Sequence, residues 1–183
     1  MNSKIITGKS GIKVLLTGKP GTGKTTVIIQ LADKLKDRAA GFYTAEIRKG
    51  RRRVGFELVS LVSGKRLPLA HVNFDSSKRV GKYGVKTENL EPFLDELTRA
   101  VRDENPHCLL IDEIGKMELY SPYFKNVIRE AFNSSHPVAA TIMARPEPFC
   151  DSLKNRPAVE IWEIDQDNRD RVPHDLAEII LSG

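Results

Sequence analysis

Residues 18–25 read Gly18-Lys19-Pro20-Gly21-Thr22-Gly23-Lys24-Thr25: a glycine, four residues, a second glycine, a lysine and a hydroxyl residue. That spacing is the phosphate-binding loop pattern, and each position has a physical reason. Gly18, Gly21 and Gly23 let the backbone curl until consecutive amide groups point inward at an anion, and the loop opens into a helix whose N-terminus is electropositive. Lys24 then reaches the β- and γ-phosphates of a nucleotide, the Thr25 hydroxyl is placed to ligate magnesium, and Thr26 is a further candidate for the α-phosphate. The pattern alone also arises by chance, so its flanks decide. Upstream, Ile12, Val14, Leu15 and Leu16 form a compact apolar run that suits a strand buried on both faces. Downstream, Val27, Leu31 and Leu35 lie four apart with Ile28 and Ala32 beside them, one apolar stripe of a helix.

Beyond this first strand, turn and helix, residues 41–47 read as a second strand and 54–61 as a third, separated by the polar hexamer 48–53. That is a hairpin with a basic tip. Ser63-Gly64 turns the chain toward a further strand at 66–70, so residues 41–70 should be an antiparallel insertion on an otherwise parallel sheet. Residues 71–87 are polar and glycine-rich and read as a long loop with room for a short strand around Val80, Tyr83 and Val85. Helices follow at 90–101, ended by Asn105-Pro106, and from Ser121-Pro122 onward, where serine caps and proline takes the first helical position. Strands at 108–111, 138–143 and 158–164, a short helix at 149–154 and a closing helix at 172–181 complete the alternation. Right-handed crossovers then give an α/β fold, a three-layer arrangement of a mostly parallel sheet with helices on both faces, in one domain over residues 1–183.

A phosphate loop needs an acid at the end of a second buried strand. Cys108, Leu109, Leu110 and Ile111 run straight into Asp112-Glu113. An aspartate there holds magnesium through its water shell, opposite Thr25. A carboxylate directly after it is placed to face the γ-phosphate and orient an attacking water, a role a hydrolase needs and a simple transferase does not. Glu113 and Asp112, with Lys24, are thus the candidate catalytic residues.

Taken together, the phosphate loop, GFYTAEIR at 41–48, RVGKYGV at 79–85 and above all DEIGKMEL at 112–119 resemble the thermophile-type nucleoside-triphosphatase family, which includes the human cancer-related nucleoside-triphosphatase. The resemblance covers almost the whole chain. It implies a phosphate-loop fold related to RecA-like ATPases and nucleotide kinases, and magnesium-dependent hydrolysis of several nucleoside triphosphates to diphosphate and phosphate. It also implies that the nucleotide is lined by Gly18, Lys19, Pro20, Gly21, Thr22, Gly23, Lys24, Thr25 and Thr26. The same holds for Leu109, Leu110, Ile111, Asp112, Glu113, Ile114, Gly115 and Lys116. Ala45 stands where many relatives carry an acid, while Glu46 remains.

Read from the residues themselves, Gly115 permits a backbone turn beside the acids, and Lys116 either adds charge near the phosphates or faces solvent. Glu46 and Arg48 fall near the carboxyl edge where open α/β sheets bind ligands, or else form an ion pair at the hairpin end. Arg145, Arg156, Arg169 and Arg171 are the candidates for a cation that stabilises charge on the γ-phosphate, and the sequence does not rank them. Without one, turnover should be slow. No Asn-Lys-x-Asp segment follows the acidic strand, so the guanine-reading arrangement of switch GTPases is missing and ATP, GTP, CTP and UTP are all expected substrates. Tyr43, Tyr83, Phe149 and Trp162 are either base-stacking or core residues.

Composition bounds these readings. The chain has 183 residues, 40% hydrophobic and 29% charged, enough for a substantial core. No apolar run approaches the roughly 18–20 residues of a membrane helix, and no signal segment is legible at the start. Cys108 and Cys150 lack partners at metal-ligand spacing, which reads as reduced thiols in a cytoplasmic protein without structural zinc. His71, His107, His136 and His174 show no metal spacing either. Residues 1–53 carry 13 basic against three acidic residues, which points to an anionic partner. Two other activities share this architecture. A kinase needs an acceptor pocket and a mobile lid, for which 145–156 with its two arginines is the candidate. A nucleic-acid-stimulated ATPase would use the basic hexamer, though few aromatics are interleaved to stack bases. A partner-cycling switch is the third alternative. The chain is expected to act as a monomer.

Overall fold

The computed structural model describes residues 11–182, apart from 104, 106 and 107. One nine-stranded sheet organises them. Its strands are β1 (Lys13–Thr17), β2 (Ala39–Lys49), β3 (Arg52–Ser60), β4 (Arg66–His71), β5 (Arg79–Val80), β6 (Tyr83–Val85), β7 (Cys108–Ile114), β8 (Val138–Ile142) and β9 (Val159–Glu163). The spatial order is β5-β6-β4-β3-β2-β7-β8-β1-β9. From β2 to β9 all neighbours are parallel, and from β2 to β5 all are antiparallel. β2 is the hinge of the architecture, parallel to β7 on one side and antiparallel to β3 on the other.

The helices are α1 (Lys24–Leu35), α2 (Glu91–Arg102), α3 (Pro122–Asn133), α4 (Pro148–Lys154) and α5 (Val172–Ser182). α1 and α5 pack together on one face of the sheet, α2 and α3 on the other. Each buries the stripe its periodicity defines: Val27, Ile28, Leu31 and Leu35 on α1; Phe93, Leu94, Leu97 and Ala100 on α2. Val14, Leu15 and Leu16 lie between the two layers at 0% exposure, and alternate ones face opposite cores. The continuous apolar run upstream of the glycine loop is explained by this two-sided burial. α3 begins as its sequence requires, with the Ser121 hydroxyl accepting from the Phe124 amide and Pro122 in the first turn.

Three expectations need correction. The antiparallel half does not end at residue 70, because the short strand expected within 71–87 is a β5–β6 hairpin that continues it. The basic hexamer is mostly strand: Arg48 pairs with Arg53 and Lys49 with Arg52, leaving only Gly50 and Arg51 as the tip. The third is β7, which runs on to Ile114, so Asp112 and Glu113 stand within a strand instead of just beyond it. Pro106 and His107, the expected helix stop and one of the histidines, lie outside the described residues. No helix among the described residues is long and apolar enough to cross a membrane.

Candidate nucleotide site

The strand order places the phosphate loop at the carboxyl ends of β1, β8 and β7, the edge at which open α/β sheets bind ligands. Gly23 caps α1 in the left-handed conformation (φ 100°), a backbone that a side chain would strain, and its carbonyl accepts the first helical bond from the Val27 amide at 3.0 Å. The Thr22 hydroxyl donates to the Lys19 carbonyl at 2.9 Å and tightens the curl. The Lys24 ammonium spans the mouth, bonded to the Gly18 carbonyl at 3.0 Å and the Lys19 carbonyl at 3.1 Å. Thr26 is exposed on the first turn of α1; Lys19, Pro20 and Gly21 form the outer rim.

Asp112 is where the elements converge. Its carboxylate accepts from the Thr25 hydroxyl at 2.9 Å, from the Thr141 hydroxyl on β8 at 2.6 Å and from the Thr44 amide on β2 at 3.2 Å, while the Thr44 hydroxyl donates to the Asp112 carbonyl at 2.7 Å. The carboxyl is 1% exposed. Burying a carboxylate costs several kcal/mol, and charge-assisted bonds of about 1.5–3 kcal/mol each offset much of that. The balance still lies with burial, which pushes the Asp112 carboxyl above its ordinary range against the Thr141, Thr25, Thr44 and Lys24 contributions. The sequence reading missed Thr44 and Thr141. Only the sheet register sets them around the acid, and each is a lone threonine in its strand segment.

Glu113 is joined to Asp112 by a cis peptide bond. Its carboxyl is raised first by burial and next by the charge of Asp112, with Lys24 acting the other way. A Cβ on Gly115 would come 2.7 Å from Glu113 Oε1. Gly115 leaves room for this carboxylate at the point where β7 ends and the chain turns into the 3-10 segment. Behind them stands Glu118, 4% exposed on the 3-10 turn Glu118–Tyr120, its carboxyl pushed up to about 8 by burial with smaller contributions from Glu113 and Asp112. This buried acid was also absent from the sequence reading.

The structure separates the remaining candidates. Leu109 and Ile111 belong to the core under α2 and α3, Leu110 to the core under α1 and α5, and Ile114 to the former. All four are fully buried and hold the strand that carries the acids in place. Lys116 is exposed. Glu46 is committed to its own hairpin, one oxygen on Arg48 and the other on Arg53, each at 2.7 Å, and the ion-pair reading holds. Phe149 is core, and Tyr83 packs edge-on against Phe56 while its hydroxyl accepts from Arg53. Of the arginines, Arg156 donates to Asn133, Arg171 pairs with Asp175 at 3.2 Å, and Arg145 is exposed after β8. Arg169 alone reaches the phosphate loop: its Cδ lies 3.2 Å from where a Cβ on Gly23 would be.

A glycine-lined anion cradle at a helix N-terminus, a lysine across its mouth and a hydroxyl–carboxylate pair beside it define a phosphate-loop nucleotide-binding protein. A family model described as NTPase matches residues 13–177. The chain is 52% identical over 168 residues to the nucleoside-triphosphatase THEP1 of Natranaerobius thermophilus, covering 91% of this chain and 95% of the relative. It is 39% identical over 170 residues to that of Thermotoga maritima, covering 92% and 95%. Among solved structures, THEP1 from Aquifex aeolicus superposes with a TM-score of 0.83 at 34% identity, covering 92% of this chain and 99% of that one. A human cancer-related nucleoside triphosphatase superposes with a TM-score of 0.81, also at 34% identity, covering 94% and 99%. The chain belongs to the NTPase family that contains the THEP1 nucleoside-triphosphatases.

Proposed function

We propose that this protein hydrolyses nucleoside triphosphates to diphosphate and phosphate, with magnesium, slowly and with little regard for the base. The observation that carries the reading is the direct Thr25–Asp112 bond at 2.9 Å with Glu113 as the next residue, which sets a pair of hard oxygen donors and a free-standing carboxylate beside the phosphate loop. Thr25 and Asp112 suit magnesium by their chemistry, and the Thr141 and Thr44 bonds keep the aspartate in one orientation. When bound, the metal neutralises charge on the β- and γ-phosphate oxygens. The amides of Gly21, Gly23 and their neighbours, with Lys24, hold the triphosphate. Glu113 accepts the proton of a water whose oxygen attacks the γ-phosphorus, and the bond from that phosphorus to the β–γ bridging oxygen breaks, leaving diphosphate and phosphate.

Water is favoured over another acceptor because segment 145–156 does not form a free lid. α4 anchors it, with Phe149, Cys150 and Leu153 buried in the core and the Glu147 carboxylate capping the helix through the Cys150 amide. Slow turnover is expected because Arg156 and Arg171 are engaged elsewhere, and a missing arginine costs on the order of a thousandfold. We place the chain in the cytoplasm as a one-domain monomer, where its two free, buried cysteines stay reduced.

Phosphate release from ATP, GTP, CTP and UTP, with and without magnesium, tests this for the wild type and Glu113→Gln, with nucleotide binding followed in parallel. All four should be hydrolysed only with magnesium, and the variant should bind but lose about a hundredfold or more in kcat. A wild type that binds nucleotide yet releases phosphate only to an added acceptor would overturn the reading in favour of a kinase.

A further inference from the structure

The segment between β9 and α5 is stapled to the phosphate loop at both ends. The Ile164 amide donates to the Thr17 carbonyl at 2.7 Å, and the Ile164 carbonyl lies 2.4 Å from where a Cβ on Gly18 would stand. Five residues on, Arg169 lies over Gly23, with Nη1 at 3.8 Å from the corresponding Cβ position. Its backbone is fixed by the loop's own bonds. Asp165 Oδ1 accepts from the amides of Asp167 and Asn168, both at 2.9 Å, Asn168 Nδ2 donates to the Glu163 carbonyl at 2.8 Å, and the Arg169 amide donates to the Asp165 carbonyl at 3.2 Å. The guanidinium itself is weakly held. Its one acidic neighbour, Asp170, stands 3.8 Å away with a side chain 85% exposed, a pairing too solvated to direct it.

Sheet order says which end of a nucleotide this arginine meets. Asp112 and Glu113 project from β7, on one side of β1, and Arg169 follows β9, on the other. A triphosphate whose γ-phosphate faces Glu113 therefore extends its nucleoside toward Arg169. This step rests on the proposed roles of Thr25, Asp112 and Glu113. What the planar guanidinium can do there is lie against a base, which any nucleotide offers. The loop residues best suited to reading a base edge, Asp165 and Asn168, already spend their side chains on the loop's own backbone.

We propose that Arg169 is the nucleoside clamp of this site: its guanidinium plane stacks on the base, gripping diphosphate and triphosphate alike and purine and pyrimidine without a strict choice. The test measures dissociation constants of magnesium complexes of ADP, GDP, CDP and UDP by calorimetry for the wild type, Arg169→Ala and Arg169→Lys, with kcat and KM for ATP alongside. The side chain is 43% exposed, so both variants should keep the fold. Alanine should weaken all four diphosphates about tenfold, and lysine should recover little of that, since charge without a plane does not stack. The loss should appear in diphosphate affinity and in KM for ATP, with kcat at saturation changed less than either. Unchanged diphosphate affinity in Arg169→Ala overturns the proposal, as does a loss confined to kcat or full rescue by lysine. A wild type that binds no diphosphate at all overturns the phosphate-loop reading together with this one.

Discussion

Glu118 carries the most quantitative prediction of the structure. It is 4% exposed, its carboxyl is pushed up from 4.5 to about 8, and burial is the main cause. In the unfolded chain the same group ionises near its ordinary value, so between roughly pH 4.5 and 8 the folded protein holds a proton that the unfolded chain has released. Stability therefore falls as pH rises through that window. Replacing the carboxyl by an amide of the same shape, Glu118→Gln, removes the titration. From the two pKa values, the wild type should lose about 2 kcal/mol relative to the variant by pH 6 and about 4 kcal/mol by pH 8, with almost no relative loss at pH 4. Urea unfolding of the nucleotide-free protein in a chelator, at fixed ionic strength and several pH values, reads this directly as the difference between the two proteins. Asp112 and Glu113 titrate in both proteins, so most of the remaining pH dependence cancels in the difference. A difference that stays flat to within about 0.5 kcal/mol from pH 4 to 8 would refute the burial argument.

Two further substitutions probe the scaffold around the acids. Thr141→Val keeps the shape of a fully buried side chain but removes its 2.6 Å bond to Asp112, so urea unfolding near neutral pH should show a loss of about 2 kcal/mol. Magnesium-nucleotide affinity, measured by titration, should fall with it. Gly41→Ala would set a Cβ 1.9 Å from the Leu110 carbonyl at φ 130°, where β2 meets β7. That exceeds what a sheet can absorb, with a cost above about 4 kcal/mol, and circular dichroism should show an unfolded or aggregated product.

How far the sequence sufficed depended on whether the relevant residues are neighbours along the chain. The phosphate loop is contiguous, so spacing alone reveals it, and Asp112 is marked by the apolar run that it ends. The cradle around Asp112 is assembled across three strands. Thr44 and Thr141 meet there only through the register of β2, β8 and β7, and no local pattern distinguishes either from a surface threonine. Glu118 was hidden for a related reason. It sits between Met117 and Leu119, and only the 3-10 turn that follows β7 folds it inward. With Glu46 and Arg48 the chemistry was legible and the geometry was not: Arg53, brought opposite by the bulged β2–β3 register, takes the second carboxylate oxygen and completes the ion pair. Arg169 could be placed among the arginines only once Ile164 was seen to tie its loop to Thr17.

The position of β1 in the sheet has a consequence for how the protein comes into being. Lys13 pairs with Val138 on one side and Val159 on the other, so the strand that ends in the phosphate loop has no partner until most of the chain has been made. β2, β3 and β4, by contrast, are joined by short turns and can zip together as they leave the ribosome. The nucleotide loop is thus translated before either of the strands that flank β1. A chain interrupted before β8 would carry the whole glycine motif without a strand beside it to give it shape. The shape of the nucleotide loop therefore waits on strands that lie more than a hundred residues downstream of it.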